Sequence, residues 1–283
     1  MPELPEVETV RRGLNQLTLN CKITGGDVLL NRTIAHPFSV DEFLSAIAGK
    51  AIINWQRRGK YLLAELSEFS PSPSGGWLGV HLRMTGQLLW LKQDEPLHKH
   101  TRVRIFFENQ QELRFVDQRT FGQMWWVQPG VAVESVITGL GKLAADPFSA
   151  EFTVEYLADK LRNRRRPIKT ALLDQSVVAG LGNIYADEAL FKSGILPETL
   201  CADLKLKQIE PLRTAIIQVL ETSIAAGGTT FSNFLNVKGI NGNYGGVAWV
   251  YNRTGEPCRV CGEVIQRIKL AGRSSHFCSQ CQH

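Results

Sequence analysis

The first residues of the chain combine a potential amine nucleophile with two acids. Pro2 follows Met1, and Glu3 and Glu6 lie within the next four positions. If Met1 is removed, the ring nitrogen of Pro2 becomes a free secondary amine. An α-amino group titrates near 8, so roughly 10% of it is uncharged at neutral pH, against under about 0.1% of a lysine. Such an amine can attack a carbon electrophile and form an iminium cation, while a nearby carboxyl group moves protons.

The same residues also fit the start of a helix. Residues 5–18 form an amphipathic pattern with the apolar side chains on one face. Prolines are common in a first helical turn, so the N-terminal residues alone favour a structural interpretation. Such a helix would still present Pro2 and Glu3 away from its packed face. The rest of the chain decides between the two interpretations.

Four cysteines near the C-terminal end predict a metal site. Two C-x-x-C pairs, sixteen residues apart, comprise Cys258, Cys261, Cys278 and Cys281. This spacing is typical of a four-thiolate zinc site, which leaves no open coordination position for catalysis. We therefore predict one structural Zn²⁺ ion. It would stabilise a small hairpin whose apolar core is too small for the hairpin to fold alone. The other two cysteines, Cys21 and Cys201, stand alone. This distribution of the six cysteines favours metal binding over disulfides and indicates a reducing compartment.

Basic residues cluster in one short segment of the chain. Five of them lie within eight positions: Arg162, Arg164, Arg165, Arg166 and Lys169. The formal charge of the whole chain is only +5. The clustering therefore predicts a polyanionic partner more strongly than the net charge does.

A helix–turn–helix pattern over 168–193 overlaps this basic segment. Its turn contains Gly180 and Gly182, and Asn183 begins the second helix. The unpaired N–H groups at a helix N-terminus suit a phosphate. An ordinary corner capped by Asn183 is the alternative, but the adjacent cations favour contact with a nucleic-acid backbone. Arg273, at the predicted tip of the cysteine hairpin, is a second candidate for phosphate contact.

The remaining pattern predicts an α+β protein. Residues 51–56 and 61–66 read as strands that flank a hairpin turn at 57–60 with three cations at its tip. Five more strands are predicted between 77 and 128, with a short helix at 41–48 and a Pro-Ser-Gly insertion at 67–76. Helices are predicted at 153–161, 168–175, 184–193 and 204–226. Strands followed by helices indicate a β-sandwich joined to a helical domain.

The composition argues against a membrane protein or a secreted one. No run approaches the ~18 apolar residues that a membrane span requires. The N-terminus is acidic and contains prolines, unlike a signal or transit peptide. We expect a cytoplasmic protein that does not bind membranes.

Several motifs occur together with the zinc-site cysteines. They lie at 2–8, 57–60, 81–84, 117–122 and 173–185. In this combination the chain resembles the bacterial formamidopyrimidine-DNA glycosylases over essentially its whole length. The resemblance implies an N-terminal β-sandwich with flanking helices and a C-terminal helical domain, with DNA in the cleft between them. The helical domain would contain a helix–two-turn–helix motif and a β-hairpin zinc finger. The expected segments are a catalytic domain at 1–131, a linker at 132–151, the helical domain at 152–246 and the zinc finger at 247–283.

The resemblance also implies an activity and a partner. The enzyme would remove 8-oxoguanine and formamidopyrimidines from damaged double-stranded DNA in base excision repair. It would act through a Schiff base on the N-terminal proline and then cleave the abasic site by β,δ-elimination. We expect a monomer associated with the bacterial nucleoid.

The family's residue roles transfer to matching positions of this chain. Pro2 would attack the sugar C1′, Glu3 would be the general acid and base, and Glu6 would be a supporting carboxylate. Phosphate contacts would come from Lys60, Asn183 and Arg273, with His100 and Lys169 as further DNA contacts. Met84, Arg119 and Phe121 would fill the gap left by the extruded nucleotide, with Arg119 paired to the orphaned cytosine and Phe121 wedged between bases.

Two places depart from the family pattern. Gln118 and Thr120 stand where Pro and Arg are often found, which puts the geometry of that loop in doubt. Residues 227–234 align with the loop that closes over oxidised guanine, and Ser232 stands where some relatives carry Arg. We assign Thr229 and Asn233 of this loop to lesion recognition.

Three alternative functions compete with this assignment. The sister family that prefers oxidised pyrimidines typically begins Pro-Glu-Gly-Pro-Glu and lacks the Arg-x-Phe arrangement of Arg119 and Phe121, so both features favour the purine enzyme. A non-catalytic zinc-finger protein that binds damaged DNA would leave Pro2, Glu3 and Lys60 unexplained. A zinc-containing RNA-binding protein would be expected to show an aromatic stacking motif.

Overall fold

The computed structural model describes residues 1–67, 75–229 and 234–283. The contacts divide the chain into two compact units. The first unit comprises residues 1–141 and 227–242, and the second comprises 142–226 and 243–283. Most of the predicted 67–76 insertion and the lesion-loop residue Asn233 lie outside the described residues.

The first unit contains three α-helices and nine strands within its described residues. The helices are α1 (Leu4–Leu17), α2 (Val40–Ile47) and α3 (Val133–Val136). The strands are β1 (Ile23–Val28), β2 (Ile34–His36), β3 (Ala51–Arg58), β4 (Tyr61–Ser67), β5 (Trp77–His81), β6 (Gly86–Lys92), β7 (Thr101–Phe107), β8 (Gln111–Asp117) and β9 (Gln123–Val127). Short 3-10 turns occur at Asn31–Thr33, Glu108–Gln110 and Leu140–Lys142.

These strands form two sheets with one shared apolar core. One sheet has the order β1-β7-β8-β6 and the other the order β2-β9-β5-β4-β3, and all neighbours are antiparallel except β2 and β9. Strand β7 shows the alternation expected of a sheet with one buried face, with Val103, Ile105 and Phe107 buried and the residues between them partly exposed. Helix α1 adds Val7, Val10 and Leu14 to the same core, which fixes the position of its N-terminal end.

The segment 227–242 belongs to the first unit although it follows a helix of the second. Phe234 and Val237 join the first unit's core, and the amide of Trp90 donates to the carbonyl of Val237. Gly13 leaves room for this contact, because a Cβ there would lie 2.4 Å from the Val237 side chain. The expected segment bounds placed 227–242 in the helical domain, a difference that arises from these long-range contacts.

The second unit is mainly helical within its described residues. Its helices are α4 (Val154–Leu161), α5 (Ile168–Leu172), α6 (Asn183–Lys192) and α7 (Leu206–Ala225), with 3-10 turns at Cys201–Asp203 and Tyr244–Gly246. Thr153 caps α4 by accepting the amide of Tyr156 at 3.1 Å. Pro211 lies inside α7, in its second turn.

A hairpin ends the second unit. Strands β10 (Gln266–Leu270) and β11 (Arg273–Phe277) pair from Gln266–Phe277 to Leu270–Arg273. The turn between them consists of Ala271 and Gly272, both with positive φ, at 45° and 78°. Two positive φ values are the signature of the tight hairpin turn whose twist matches the strands.

The predicted α+β class and the two-part architecture are confirmed, and most elements fall within two residues of their predicted bounds. Strands β1 and β2 were not predicted, because 21–50 lacks a clear alternation of apolar and polar residues. Helix α5 ends at Leu172 rather than at residue 175. No helix in the described ranges has the length and apolarity needed to cross a membrane.

Candidate functional site

The N-terminal end of α1 holds the proposed nucleophile and acid in place. Pro2 is buried and Glu3 is 2% exposed. Glu3 precedes the first helical residue, and its carbonyl accepts the amide of Val7 at 3.0 Å. The amide of Glu3 donates to Oε2 of Glu6 at 2.8 Å. The helix start therefore determines the backbone position of Glu3 through two hydrogen bonds.

Glu6 connects this helix start to the 227–242 segment. Its other oxygen, Oε1, accepts the amide of Thr229 at 3.0 Å. Gly228 has φ +85°, and a Cβ there would lie 3.2 Å from Cγ of Glu6. Both oxygens of Glu6 thus hold backbone amides, one just before α1 and one in the predicted lesion loop. Thr229 itself is fully buried.

The α-amino group of the chain lies in the same environment. In the structure it belongs to Met1, so the nitrogen of Pro2 is an amide. Burial lowers the pKa of this amine, the charges of Glu3 and Glu6 raise it, and those of Lys60 and Arg119 lower it, with a net lowering. An amine held at this place has a larger uncharged fraction at neutral pH than an exposed one.

Lys60 occupies the turn between β3 and β4. The pairing of Arg58 with Tyr61 leaves only Gly59 and Lys60 in the turn, and Lys60 is 9% exposed. The prediction of three cations at this tip is wrong, because Arg57 and Arg58 end strand β3 and pair with carboxylates, Arg57 with Glu8 and Arg58 with Glu134.

Arg57 links this turn to α1. It donates to the carbonyl of Gly59 at 3.1 Å and to Glu8 at 3.3 Å. Glu8 also accepts hydrogen bonds from Arg11 and Arg12. Burial alone would raise the pKa of Glu8, but these hydrogen bonds and the charges of Arg11 and Arg57 lower it to about 2. The carboxylate is therefore ionised at neutral pH and holds Arg57 beside the Lys60 turn.

A cavity of about 890 Å³ opens beside the N-terminus in the first unit. Its lining includes Pro2, Met84, His100, Arg119 and Phe234. This mixture of charged, polar and apolar lining residues suits a nucleotide, which carries phosphate, sugar and a flat base.

The three residues predicted to fill a vacated base position lie on two connections between strands. Met84 lies between β5 and β6, and Arg119 and Phe121 lie between β8 and β9. Arg119 is exposed and its guanidinium lies 5.1 Å from the Phe121 ring. Phe121 is 52% exposed, so its ring is accessible to a binding partner.

His81 has a structural role in the same region. Its Nδ1 accepts the amide of Arg83 at 2.9 Å. Burial, then the charges of Arg83 and Lys60, lower the pKa of His81 to about 3. The imidazole is therefore neutral at physiological pH and fixes the turn that precedes Met84.

In the second unit, the carbonyl of Ser274 on β11 joins two predicted DNA contacts. Lys169 Nζ donates to it at 2.6 Å and Asn183 Nδ2 donates to it at 3.1 Å. Lys169 is 1% exposed and also pairs with Asp187 at 2.6 Å. Asn183 is the first residue of α6 and Gly182 is its N-cap, so the alternative interpretation, in which Asn183 caps this helix, is wrong.

The basic run before α5 is partly neutralised within the unit. Arg166 and Arg164 lie 2.7 Å and 3.7 Å from Asp174. Burial would raise the pKa of Asp174, but hydrogen bonds from Arg166 and Ser176 lower it to about 2. Arg162 and Arg165 are exposed, as is Arg273 beside the hairpin turn.

The four predicted zinc ligands converge as expected. Their Sγ atoms all lie within 4.8 Å of one another. Cys258 and Cys281 are separated by 3.9 Å and Cys261 and Cys278 by 3.4 Å. Tetrahedral zinc with bonds of about 2.3 Å requires sulfur atoms about 3.8 Å apart. The cysteines therefore fit one structural zinc ion beside the β10–β11 hairpin.

Several cavity residues have no signal in the sequence. His98 and Lys99 lie in the irregular segment between β6 and β7, and Leu235 and Asn241 come from the distant 227–242 segment. No local pattern marks these positions. Tertiary packing brings these two irregular segments to the cavity.

Comparison with known proteins gives matches along the chain. Residues 1–124 match the formamidopyrimidine-DNA glycosylase N-terminal domain, residues 143–234 its H2TH domain, and residues 255–283 a zinc finger found in FPG and IleRS. The formamidopyrimidine-DNA glycosylase of Nostoc sp. is 84% identical over 282 residues, which cover 100% of both chains.

Solved structures of a Lactococcus lactis protein are also similar. A complex of a mutant of this FPG protein with Fapy-dG-containing DNA has a TM-score of 0.89 and 35% identity, with 100% of both chains covered. A complex of the wild-type protein with DNA containing an oxidised pyrimidine has a TM-score of 0.88 and 35% identity, again with 100% of both chains covered. The chain therefore belongs to the formamidopyrimidine-DNA glycosylase family.

Proposed function

We propose that Pro2, Glu3 and Lys60 carry the reaction of this DNA glycosylase. Enzymes of its family excise oxidised purines from duplex DNA in base excision repair and then cleave the abasic site. The supporting observation is that Pro2 lines a cavity together with Met84 and Arg119, and that the buried acid Glu3 directly follows it.

The reaction starts with the extrusion of the damaged nucleotide from the DNA stack. This costs a few kcal/mol. Met84, Arg119 and Phe121 fill the vacated space and offset part of that cost. Arg119 is exposed and can donate hydrogen bonds to the orphaned cytosine, and Phe121 is exposed and can wedge between bases.

Once Met1 is removed, the Pro2 nitrogen attacks C1′ of the extruded nucleotide. Glu3 donates a proton to the opening ribose, and the damaged base leaves. The iminium cation formed on Pro2 acidifies the C2′ protons, and removal of one of them breaks the strand on the 3′ side by β-elimination. A second elimination (δ) releases the sugar and leaves a one-nucleotide gap. Lys60 contacts the phosphate beside the lesion, and Glu6 holds the α1 start against Thr229.

The second unit binds the DNA backbone in this proposal. Asn183 and Arg273 contact the flanking phosphates. His100, on the cavity wall of the first unit, is a further DNA contact. Since Lys169 is buried against Asp187 and Ser274, we propose that it holds the hairpin beside α6. Thr229 contributes to lesion recognition through the placement of its loop by Glu6.

A covalent trapping experiment tests the catalytic assignment. We expect borohydride to trap the processed enzyme on a duplex with 8-oxoguanine opposite cytosine, with the adduct on Pro2. Pro2→Gly should abolish trapping. Glu3→Gln should slow excision by about 10²–10⁴-fold, the usual contribution of a general acid.

Glu42→Gln, which changes an exposed carboxylate on α2, is the control and should leave the rate unchanged. Trapping and strand cleavage that survive both Pro2→Gly and Glu3→Gln would contradict the assignment. An adduct peptide that begins at Pro2 would also demonstrate removal of Met1.

Oxidised pyrimidines are a second candidate substrate class. The similar wild-type Lactococcus lactis protein has been crystallised with DNA that contains one. Parallel excision assays on 8-oxoguanine and on an oxidised cytosine, each opposite its normal partner, would rank the two. We further propose that the enzyme acts as a monomer in the bacterial cytoplasm, on the DNA of the nucleoid.

A further inference from the structure

The two connections that carry Met84, Arg119 and Phe121 each cross from one sheet to the other. Residues 82–85 lead from β5 in the five-stranded sheet to β6 in the four-stranded one, and 118–122 lead back from β8 to β9. The first residue of β6, Gly86, pairs directly with the last residue of β8, Asp117. The first crossing therefore ends, and the second begins, at the pair formed by Gly86 and Asp117.

Asp117 binds both crossings through its side chain. It is 1% exposed, and its Oδ2 accepts the amide of Gly122 at 2.7 Å. Its Oδ1 accepts the hydroxyl of Thr85 and the amide of Arg119, the latter at 3.2 Å. The Thr85 hydroxyl also accepts the amide of Arg119 at 2.9 Å. One carboxylate and one hydroxyl thus hold both ends of the Arg119–Phe121 loop and the residue after Met84.

The backbone of Asp117 holds a third cavity segment. Its amide donates to the carbonyl of His100 at 2.9 Å, and its carbonyl accepts Nε of Arg102 at 2.8 Å. Arg102 also lies 3.1 Å from Nδ1 of His100. The segment of the cavity lining around His100 is therefore hydrogen-bonded to Asp117, as are the two crossings.

Both crossings contain a residue in the left-handed region. Arg83 has φ 53° and Thr120 has φ 58°. Such conformations are unfavourable for side chains other than glycine and persist only where surrounding contacts enforce them. The space is also tight, because a Cβ on Gly122 would lie 2.4 Å from the Phe115 ring. The hydrogen bonds of Asp117 to the amides of Arg119 and Gly122 supply such contacts on either side of Thr120, and His81 supplies one for Arg83.

We propose that Asp117 and Thr85 are positioning residues for opposite-base recognition. They hold Met84, Arg119 and Phe121 in one arrangement before DNA binds, so that Arg119 meets the orphaned base at a fixed distance. Without these two residues, the two crossings move independently of each other. The enzyme then loses its preference for lesions opposite cytosine over lesions opposite other bases. This inference rests on the proposed function, because it assumes that Arg119 reads the orphaned base.

The test compares Thr85→Val with Thr85→Ser in the full-length enzyme. Valine has the shape of threonine but can neither accept the Arg119 amide nor donate to Asp117, whereas serine can do both. We measure the excision rate of 8-oxoguanine opposite cytosine and opposite adenine, and the cleavage rate of a preformed abasic site opposite cytosine. Thr85→Val should narrow the cytosine-to-adenine rate ratio by about 10-fold, because it removes both the hydrogen bond to Asp117 and the one from Arg119. The cleavage rate of the abasic site should change much less, because an abasic nucleotide has no base to unstack or to excise.

Thr85→Ser should restore the wild-type ratio, and Asp117→Asn should narrow it as Thr85→Val does. Asp117→Asn also keeps the test decisive if Thr85→Val proves unstable. A wild-type ratio in both Thr85→Val and Asp117→Asn would overturn the inference. If the unmodified enzyme itself shows no excision or no preference for cytosine, the proposed function fails first, and the variants are not needed to reach that conclusion.

Discussion

At the scale of single residues, the two N-terminal carboxylates have different surroundings. Glu6 accepts one backbone amide on each oxygen, from Glu3 and from Thr229. The backbone therefore engages both oxygens of Glu6, and Glu6 connects two segments of the first unit. Glu3 directly follows Pro2, so we propose Glu3 for proton transfer and Glu6 as the supporting carboxylate. This division of roles rests on position in the chain and on the two amide contacts of Glu6, since both residues are glutamates of similar burial.

Glu8 gives a prediction about pH and stability. Its pKa in the folded protein is about 2, below its ordinary value, so the stability it contributes is present above about pH 4.5 and is lost as the pH falls towards 2. We expect Glu8→Gln to lower the free energy of unfolding at pH 7 by about 1–2 kcal/mol, a value discounted for screening. The difference from the unmodified protein should shrink steadily below pH 4.5.

Urea unfolding followed by tryptophan fluorescence measures this effect. Five of the six tryptophans, at 55, 77, 90, 125 and 126, lie in the first unit with Glu8. Asp27→Asn is the matched control, because Asp27 is half exposed in its 3.4 Å pair with Arg104 and should contribute almost nothing. An equal loss for Glu8→Gln at pH 7 and pH 2 would indicate lost packing instead of lost charge.

At the scale of elements, the terminal hairpin depends on its metal. Around its cysteines, only Phe191, Val250 and Ile265 complete the buried apolar cluster in the described part of the chain, which is too small to stabilise a two-stranded hairpin in water. Its β11 strand also carries the Ser274 carbonyl that Lys169 and Asn183 bind. Loss of the metal should therefore disturb the residues around Asn183 as well as the hairpin itself.

Zinc removal tests this dependence. We expect Cys281→Ala to lose the bound zinc and to increase hydrogen exchange over 266–277, while the tryptophan fluorescence of the first unit stays unchanged. Duplex DNA binding should fall by about 5- to 30-fold, since one missing phosphate contact of about 1–2 kcal/mol has that effect. Cys21→Ala, which removes a lone thiol, should retain the metal. Full zinc content in Cys281→Ala would show that the four cysteines do not form the site.

At the scale of the whole molecule, the proposal gives the two units different tasks. The first contains the amine, the acid and the cavity, and the second contains phosphate contacts that carry no sequence information. Such contacts release counterions from DNA, so they determine how binding depends on salt.

A substitution of Arg273 tests this division of tasks through the salt dependence of DNA binding. Arg273→Ala should weaken binding to all duplex sequences alike and reduce the slope of log K against log salt by about 1. Lys207→Ala changes an exposed cation on α7 of the same unit and should leave the slope unchanged. An altered lesion preference with an unchanged slope in Arg273→Ala would contradict a phosphate contact.

The sequence by itself determined the features that depend on short spacing. The zinc ligands follow from two C-x-x-C pairs, because each pair needs only a tight turn. The proposal of an N-terminal amine with an acid beside it rests on adjacent residues, and the fold class follows from the periodicity of apolar residues.

Only the tertiary structure decided which distant residues meet. It joined Glu6 to Thr229, which lies 223 positions away, and placed the 227–242 segment in the first unit. It buried Lys169, which the charge pattern and the family resemblance assign to DNA contact, and brought Thr85 to Asp117. The physical reason is common to these cases: each contact is made by sheet pairing or core packing between remote segments, and a local sequence pattern carries no information about that pairing.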